Sequence, residues 1–522
     1  MKKNIFKILT LLLVVAMLFL SVACNGFEKE SAESDTKAQE THTDEPVYTP
    51  KTTSAPKSTF VYPPSNNTTL DFEGAQISIL SLDRENIVRE WYKATPEDEL
   101  DEAVAIRNNT VEDTLNLVMN VEFIPYTDEY VATFTDKIRN DVNSDLHEYD
   151  ISANLASATS SPLLRGYAAN MLDERSFPYF EFTIPCWDQS FIEAATINEQ
   201  LYYAVGNMNI SMYEATSVMW YNHTLYENLR ELTDPKHLQD EALSGLWTYD
   251  ELYKWASRSY AGNTDGAFTI LALDTTKKST ANALSKMFGL EFVAEKEDGT
   301  HFFDANIKPT VDDLFLKLHA LTSASGTRAD ATLEDFVSGK VLFYTGVLYE
   351  SSASNTMLKE MKDFRGILPI PKYDENDDYF TTADVDSFSV VSIIDHSKST
   401  QRTKGDEVSA FIQLTAEESY TPIRGYYFNR IIKPKYFGTD DAKGTVTKSI
   451  AIFSEIFQNN RIRFDFCNVY SAQLETVNSI WLNLCDPDNE KSSDELYFSN
   501  ADLLKQEINE LDAWFGLISL DQ

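Results

Sequence analysis

The sequence predicts an α/β protein built as two lobes with a helical finish, and three observations carry that prediction. Strand-like and helix-like periodicities alternate between residues 76 and 153, the alternation resumes between about 201 and 394, and from 407 onward the pattern is helical. The 522 residues allow two to four domains at roughly 100–200 residues each, so the core needs no disulfide support.

Residues 76–82 (QISILSL) alternate as a strand, and 96–117 carry apolar residues at helical spacing with acids in the first turn. A strand at 121–124, a helix at 130–142 and a strand at 149–153 (YDISA) follow. So tight an alternation implies a parallel sheet with helices on both faces. Further along, 201–205 and 217–221 read as strands, Thr248 as a helix N-cap with Glu251 completing a capping box, and 309–321 as a helix. A helix ending near Gly339 leads into strands at 341–345, 366–368 and 388–394; helices at 407–414, 445–458 and 501–515 close the chain. No repeat of 20 to 50 residues is visible.

Composition narrows the function. With 44 Lys and Arg against 82 Asp and Glu the formal charge is −38, a field that repels phosphate, so nucleic acid is excluded as a partner and so is a bilayer held by a basic patch. At 43% hydrophobic the chain as a whole is not disordered. Its 26 Tyr, 31 Phe and 7 Trp leave room, beyond the core, for an aromatic-lined ligand site.

Lys2, Lys3 and Lys7 precede an apolar run from 8 to 20 that closes with Ser21, Val22, Ala23 and Cys24, the layout of a cleaved signal segment over residues 1–23. A Cys directly after the small residues resembles the lipobox of bacterial lipoproteins, with Ser21 standing where Leu is usual. That resemblance implies lipidation of Cys24 and a protein held on the outer face of the cell membrane. An uncleaved anchor helix is the other reading, and it too tethers the N-terminus. Residues 24–71 shift to Ser, Thr, Pro, Lys, Asp and Glu and read as a disordered stalk. Cys186, Cys467 and Cys485 show no CxxC, so structural zinc is not expected, and whether Cys467 and Cys485 pair is left open. The seven His show no ligand spacing, and no metal site or cofactor is expected. The run 374–378 starts like a calcium loop, but Tyr379 and Val385 break the pattern.

The order of signals from 76 to 517 resembles the family 1 extracellular solute-binding proteins, the lipid-anchored receptors of ABC importers related to maltose- and oligosaccharide-binding proteins. Four pieces carry it: the first strand, loop and long helix with Arg107 and Asn108; 192–198 followed by 201–206 and Met219-Trp220-Tyr221-Asn222; 335–346 with its Gly339-Lys340 turn; and 366–372 followed by 386–390. The resemblance implies the two-lobed periplasmic-binding-protein fold of type II. Lobe one would span 72–207 plus 387–440 and lobe two 208–386 plus 441–522, with a ligand cleft between them and hinge motion at the crossings. It also implies a monomer that captures a small solute, a sugar or oligosaccharide, and delivers it to permease subunits without catalysis.

A sugar offers an apolar C–H face and a rim of hydroxyls, so its site needs an aromatic platform beside paired donors and acceptors. Trp187-Asp188 supplies both in adjacent positions, with a buried structural Trp as the alternative. Glu90 and Trp91 lie in the loop after the first strand, and Asn154 just after the strand 149–153, at the edge where α/β ligands sit. Tyr349 and Glu350 follow the strand 341–345 of lobe two, and Asp384 and Asp386 flank the return crossing. Trp220 and Trp481 read as packing. No HExxH, GxSxG, GxGxxG or GxxxxGK[ST] occurs. Two other readings stay open: the same receptor fold for a peptide or polyamine, and a surface carbohydrate-active enzyme or adhesion module.

Overall fold

The computed structural model describes residues 70–92, 95–161, 166–229, 237–258, 269–273, 278–348, 357–399, 403–420, 444–458, 461–486 and 488–519. Cys24, Tyr349 and Glu350 lie outside the described residues.

Two sheets organise the chain. The first contains β1 (Ala75–Asp83), β2 (Leu117–Pro125), β3 (Ile151–Leu155) and, from far along the sequence, a strand at Ser389–Ile393. The second contains β4 (Ser217–Asn222), β5 (Thr269–Ala272), β8 (Thr327–Arg328), β9 (Val341–Val347) and β10 (Arg365–Leu368). Between them in sequence, β6 (Val293–Glu295) and β7 (His301–Phe303) form a hairpin of their own, and the strand Ser389–Ile393 completes the numbering as β11. The spatial orders are β11-β3-β1-β2 and β10-β4-β9-β5-β8.

The three strands read from the alternation over 76–153 are parallel as expected, but neither sheet as a whole is purely parallel. β1 runs parallel to β2 and β3, but β11 is antiparallel to β3; β9 is parallel to β5, but β4 is antiparallel to β9 and β10. The cause is where the chain changes lobe. β1, β2, β3 and β9 end at the hinge side, whereas β4 and β11 start there straight after a crossing, so each must run against its neighbours.

Sheet one buries both faces, as period-two alternation requires. Ile77 and Ile79 belong to the large core that includes Leu100, Val104 and Val111 of the helix Glu99–Leu115, while Leu80 and Leu82 join Phe134 and Ile138 of the helix Tyr130–Asn143. Asp98 starts the first of these helices by accepting from the amides of Leu100 (3.0 Å) and Asp101 (3.1 Å), and Asn116 ends it at φ 48°. In lobe two, Thr248 caps the helix Tyr249–Ala256 by accepting from the Glu251 amide, but the Glu251 carboxylate bonds Lys254 rather than closing a capping box. Capping boxes form instead at Thr332 and Asp335, starting the helix Leu333–Val337 ahead of β9, at Asp465 and Asn468, and at Ser492 and Glu495. Cys186, Cys467 and Cys485 are free buried thiols.

Candidate functional site

Two crossings join the lobes, and they pair with each other. The Ser217 amide donates to the Thr382 carbonyl (2.9 Å), the Asp384 amide donates to the Ala215 carbonyl (2.9 Å), and Thr216 faces Ala383 in the resulting bridge. The carboxyl ends of strands from both sheets converge on this ribbon: the Ser157 amide, just past β3, donates to the Val385 carbonyl (3.1 Å), and the Leu348 amide, just past β9, donates to the Thr216 carbonyl (3.1 Å). In an open α/β sheet the carboxyl edge is where ligands lie, and here two such edges flank one hinge.

On the lobe-one side of the ribbon a polar and aromatic cluster forms. Arg84, directly after β1, donates from Nη1 to the Asp386 carbonyl (3.0 Å), and Asn86 Nδ2 donates to the Ser387 carbonyl (3.0 Å). The Arg84 guanidinium lies 5.1 Å from the centroid of the Tyr126 ring, and that ring lies 5.0 Å from Tyr130. Tyr126, the first residue after β2, is 46% exposed. Burial, together with Tyr126 and the Asp386 charge and against the pull of Arg84, pushes the Tyr130 phenol up to about 12, so it stays a neutral donor. An exposed ring, a guanidinium, a phenol and the exposed carboxylate of Asp386 within one edge can stack an apolar face and bond hydroxyls around it.

The residues singled out from sequence fall in several places. Asp386 is in this cluster. Asp384, beside it, turns inward: its carboxylate accepts from the Ser387 hydroxyl (2.6 Å) and the Asp386 amide (3.3 Å), and burial raises its pKa. Glu90 and Trp91 are not in a loop, since Glu85–Trp91 is a helix whose inner face buries both, each 1% exposed. Glu90 bridges the two crossings. It accepts from the Ser211 amide and hydroxyl (2.6 Å each) and from the Ser389 hydroxyl, and Arg107 donates to its backbone carbonyl. Burial pushes the Glu90 carboxyl up to about 8 despite those bonds. Asn154 is fully buried inside β3; its Oδ1 accepts from the Leu155 amide (2.8 Å) and its Nδ2 has no partner.

Trp187 and Asp188 come together in a different role. The indole is 2% exposed, donates to Gln413 (3.1 Å) and packs against Phe182 (4.9 Å between centroids). Gly206 of the first crossing presses on this segment so closely that a Cβ there would lie 2.7 Å from the Cys186 carbonyl oxygen. Asp188 accepts from the Phe191 amide (2.8 Å) to start the helix Gln189–Ala195, and burial pushes its carboxyl up to about 6. Both line a cavity of about 60 Å³ with Met212 and Ile456. That is well below the ~300 Å³ at which small-molecule sites begin. In this arrangement the pair packs and caps.

Sequence reasoning missed Arg84, Tyr126 and Tyr130. The signal was present: the edge argument applied after the first and third strands holds equally after β2, where Pro125-Tyr126 stands. A larger cavity of about 310 Å³ lies at the opposite end of sheet one, lined by His147, Asp150, His396 and Lys404, away from the crossings.

No protein-family model matches the chain, and no curated protein sequence matches it. Its fold is similar to that of a sugar transporter from Rhizobium etli in an open conformation, at TM-score 0.54 and 14% identity over 84% of this chain and 99% of that one. The GacH receptor of Streptomyces glaucescens, solved unliganded and with acarbose, is also similar, at TM-score 0.49 and 12% identity over 84% and 99%. So is a family 1 extracellular solute-binding protein from Bifidobacterium longum subsp. infantis, at TM-score 0.49 and 13% identity over 84% and 99%. The chain shares a two-lobed α/β fold with that Rhizobium etli transporter, with paired crossings between its lobes.

Proposed function

We propose that the protein is the extracellular solute-binding component of an ABC importer, tethered by a lipid on Cys24, and that it captures a carbohydrate between its lobes as a monomer and hands it to permease subunits. The observation that carries this reading is the exposed Tyr126 with Arg84, Tyr130 and Asp386 at a sheet's carboxyl edge beside the paired crossings. On this reading the lobes divide at 72–207 plus 387–440 and 208–386 plus 441–522; Asp384 adjoins Asp386 at the crossing, and Tyr349 and Glu350 lie outside the described residues. The likeness in fold to a sugar transporter from Rhizobium etli supports carbohydrate as the solute. Binding and release need no catalytic group, so turnover is not expected. Among the described residues no helix is long and apolar enough to cross a membrane, so tethering falls to the N-terminal segment.

The test is a thermal-shift screen against mono- and oligosaccharides, peptides and polyamines, with product analysis alongside. A ligand at a hundred times its dissociation constant adds about 2.7 kcal/mol, a shift of a few degrees. A shift with one carbohydrate class, without its consumption, is the expected result. Shifts only with peptides or polyamines would overturn the sugar, and appearance of product would overturn the binding-only reading.

A further inference from the structure

Within lobe two, β4 runs directly into the helix His223–Leu229. Residues 223 and 227 are four apart, so His223 and Glu227 project from the same face. His237, just before the helix Leu238–Leu243, closes on that face: its ring centroid lies 5.0 Å from that of His223. One ligand atom from each of the three residues lies within 4.8 Å of the others. Around a tetrahedral zinc ion at ~2.0–2.1 Å the donor atoms stand about 3.4 Å apart, so a small side-chain adjustment would let all three reach one ion.

Two further features point to a cation rather than to simple packing. His237 is 7% exposed, yet neither of its ring nitrogens has a hydrogen-bond partner, a costly arrangement for a polar group in the interior. The surroundings also suit an ion with imidazole ligands. Tyr226 packs against both His rings at 6.4 and 6.2 Å and Trp255 packs on Tyr226 at 5.5 Å, giving the dry shell that raises the affinity of a charged site. Glu227 brings the one carboxylate of the set, and Lys448, whose charge lies near His237, is engaged by Asp240 at 2.8 Å.

We infer that His223, Glu227 and His237 form a binding site for a divalent transition-metal ion of zinc type, buried in lobe two and separate from the cleft. Two imidazoles and one carboxylate favour zinc over calcium or magnesium, which take oxygen ligands. The ion would tie the helix that follows β4 to the segment entering Leu238–Leu243, and that segment packs under β10 through Gln239, whose Nε2 donates to the Ile367 carbonyl (3.3 Å). This reading reverses the expectation of no metal: a spacing of four residues and then ten matches no common short motif, and only the fold brings the third ligand in.

The experiment uses the untagged full-length protein, stripped with chelator, titrated with zinc chloride, dialysed and analysed for metal; cobalt(II) serves as a coloured reporter of four-coordinate geometry. One retained zinc per chain and intense visible cobalt bands are expected, both lost in Glu227→Gln and in His237→Asn, with calcium chloride producing neither. Failure of the wild-type chain to retain zinc at micromolar concentration would overturn the site, as would an equivalent that survives both substitutions. Glu227 is only half-buried and Gln is nearly its isostere, so this variant decides the matter even if His237→Asn fails to fold.

Discussion

A tyrosine that keeps a guanidinium over its ring, lies 5.0 Å from a second ring and is still 46% exposed has ring surface to offer. If Tyr126 is the stacking platform, Tyr126→Ala weakens sugar binding by about 1–3 kcal/mol, or roughly fivefold to 150-fold, with the melting temperature of the free protein little changed. Titration calorimetry reads this directly, and an unchanged affinity removes the residue from the site. Glu90 poses the opposite case, a carboxyl with no solvent face. Burial pushes it up to about 8 from the ordinary glutamate value of 4.5, so its contribution to stability is complete below about pH 4.5 and is lost as pH rises toward 8. Thermal melts across that window should therefore show a larger loss in the wild type than in Glu90→Gln; parallel curves would place the titration elsewhere. The difference between the two proteins is the quantity to read, because burial also raises Asp188 and Asp384.

At the scale of elements, the helix Glu99–Leu115 depends on Asp98 twice. The carboxylate caps two amides and also holds Arg89, itself 8% exposed, at 2.7 Å. Asp98→Ala should cost about 1–2 kcal/mol, the upper part of the range for a cap, measured by denaturant unfolding; a loss within error would show that Asp101 alone holds Arg89. Long elements of this kind were legible in the sequence, because many apolar positions must agree in phase: 130–142 against Tyr130–Asn143, and 445–458 against Thr445–Gln458. Short ones were not. Seven residues, Glu85–Trp91, span two turns, too few for periodicity to show that Glu90 and Trp91 face inward, and so both were read as loop residues. The segment 201–205 alternates like a strand, yet only Ala204 pairs, with Val391. The hairpin of β6 and β7 went unread although Asp298-Gly299, with Gly299 at φ 83°, is the usual turn signal. Antiparallel β4 and β11 were beyond local pattern, since their direction follows from which end of the sheet the chain re-enters.

For the whole molecule, the sequence order of strands, crossings and helices predicted two α/β lobes, and the paired sheets bear that out. Of the residues named from sequence for a ligand, Asp386 flanks the return crossing with its side chain exposed, while Trp187 and Asp188, named as an aromatic beside an acid ahead of the first crossing, pack against Phe182 and start a helix. At the join sits a buried carboxyl. Glu90 reaches Ser211 on one crossing and Ser389 on the other, so the two links are cross-tied as well as paired.

That ribbon has a consequence in time. Among the described residues two backbone bonds, from Ser217 and from Asp384, hold the crossings to each other, and both lie at the join between the two sheets. If the lobes close by bending through the ribbon, those two amides keep their slow hydrogen exchange with and without solute; if closure unzips it, they exchange slowly in the free protein, where both bonds are made, and speed up sharply on saturation. The exchange rates of two hydrogens would thus tell whether the joint behaves as a flexure or as a clasp.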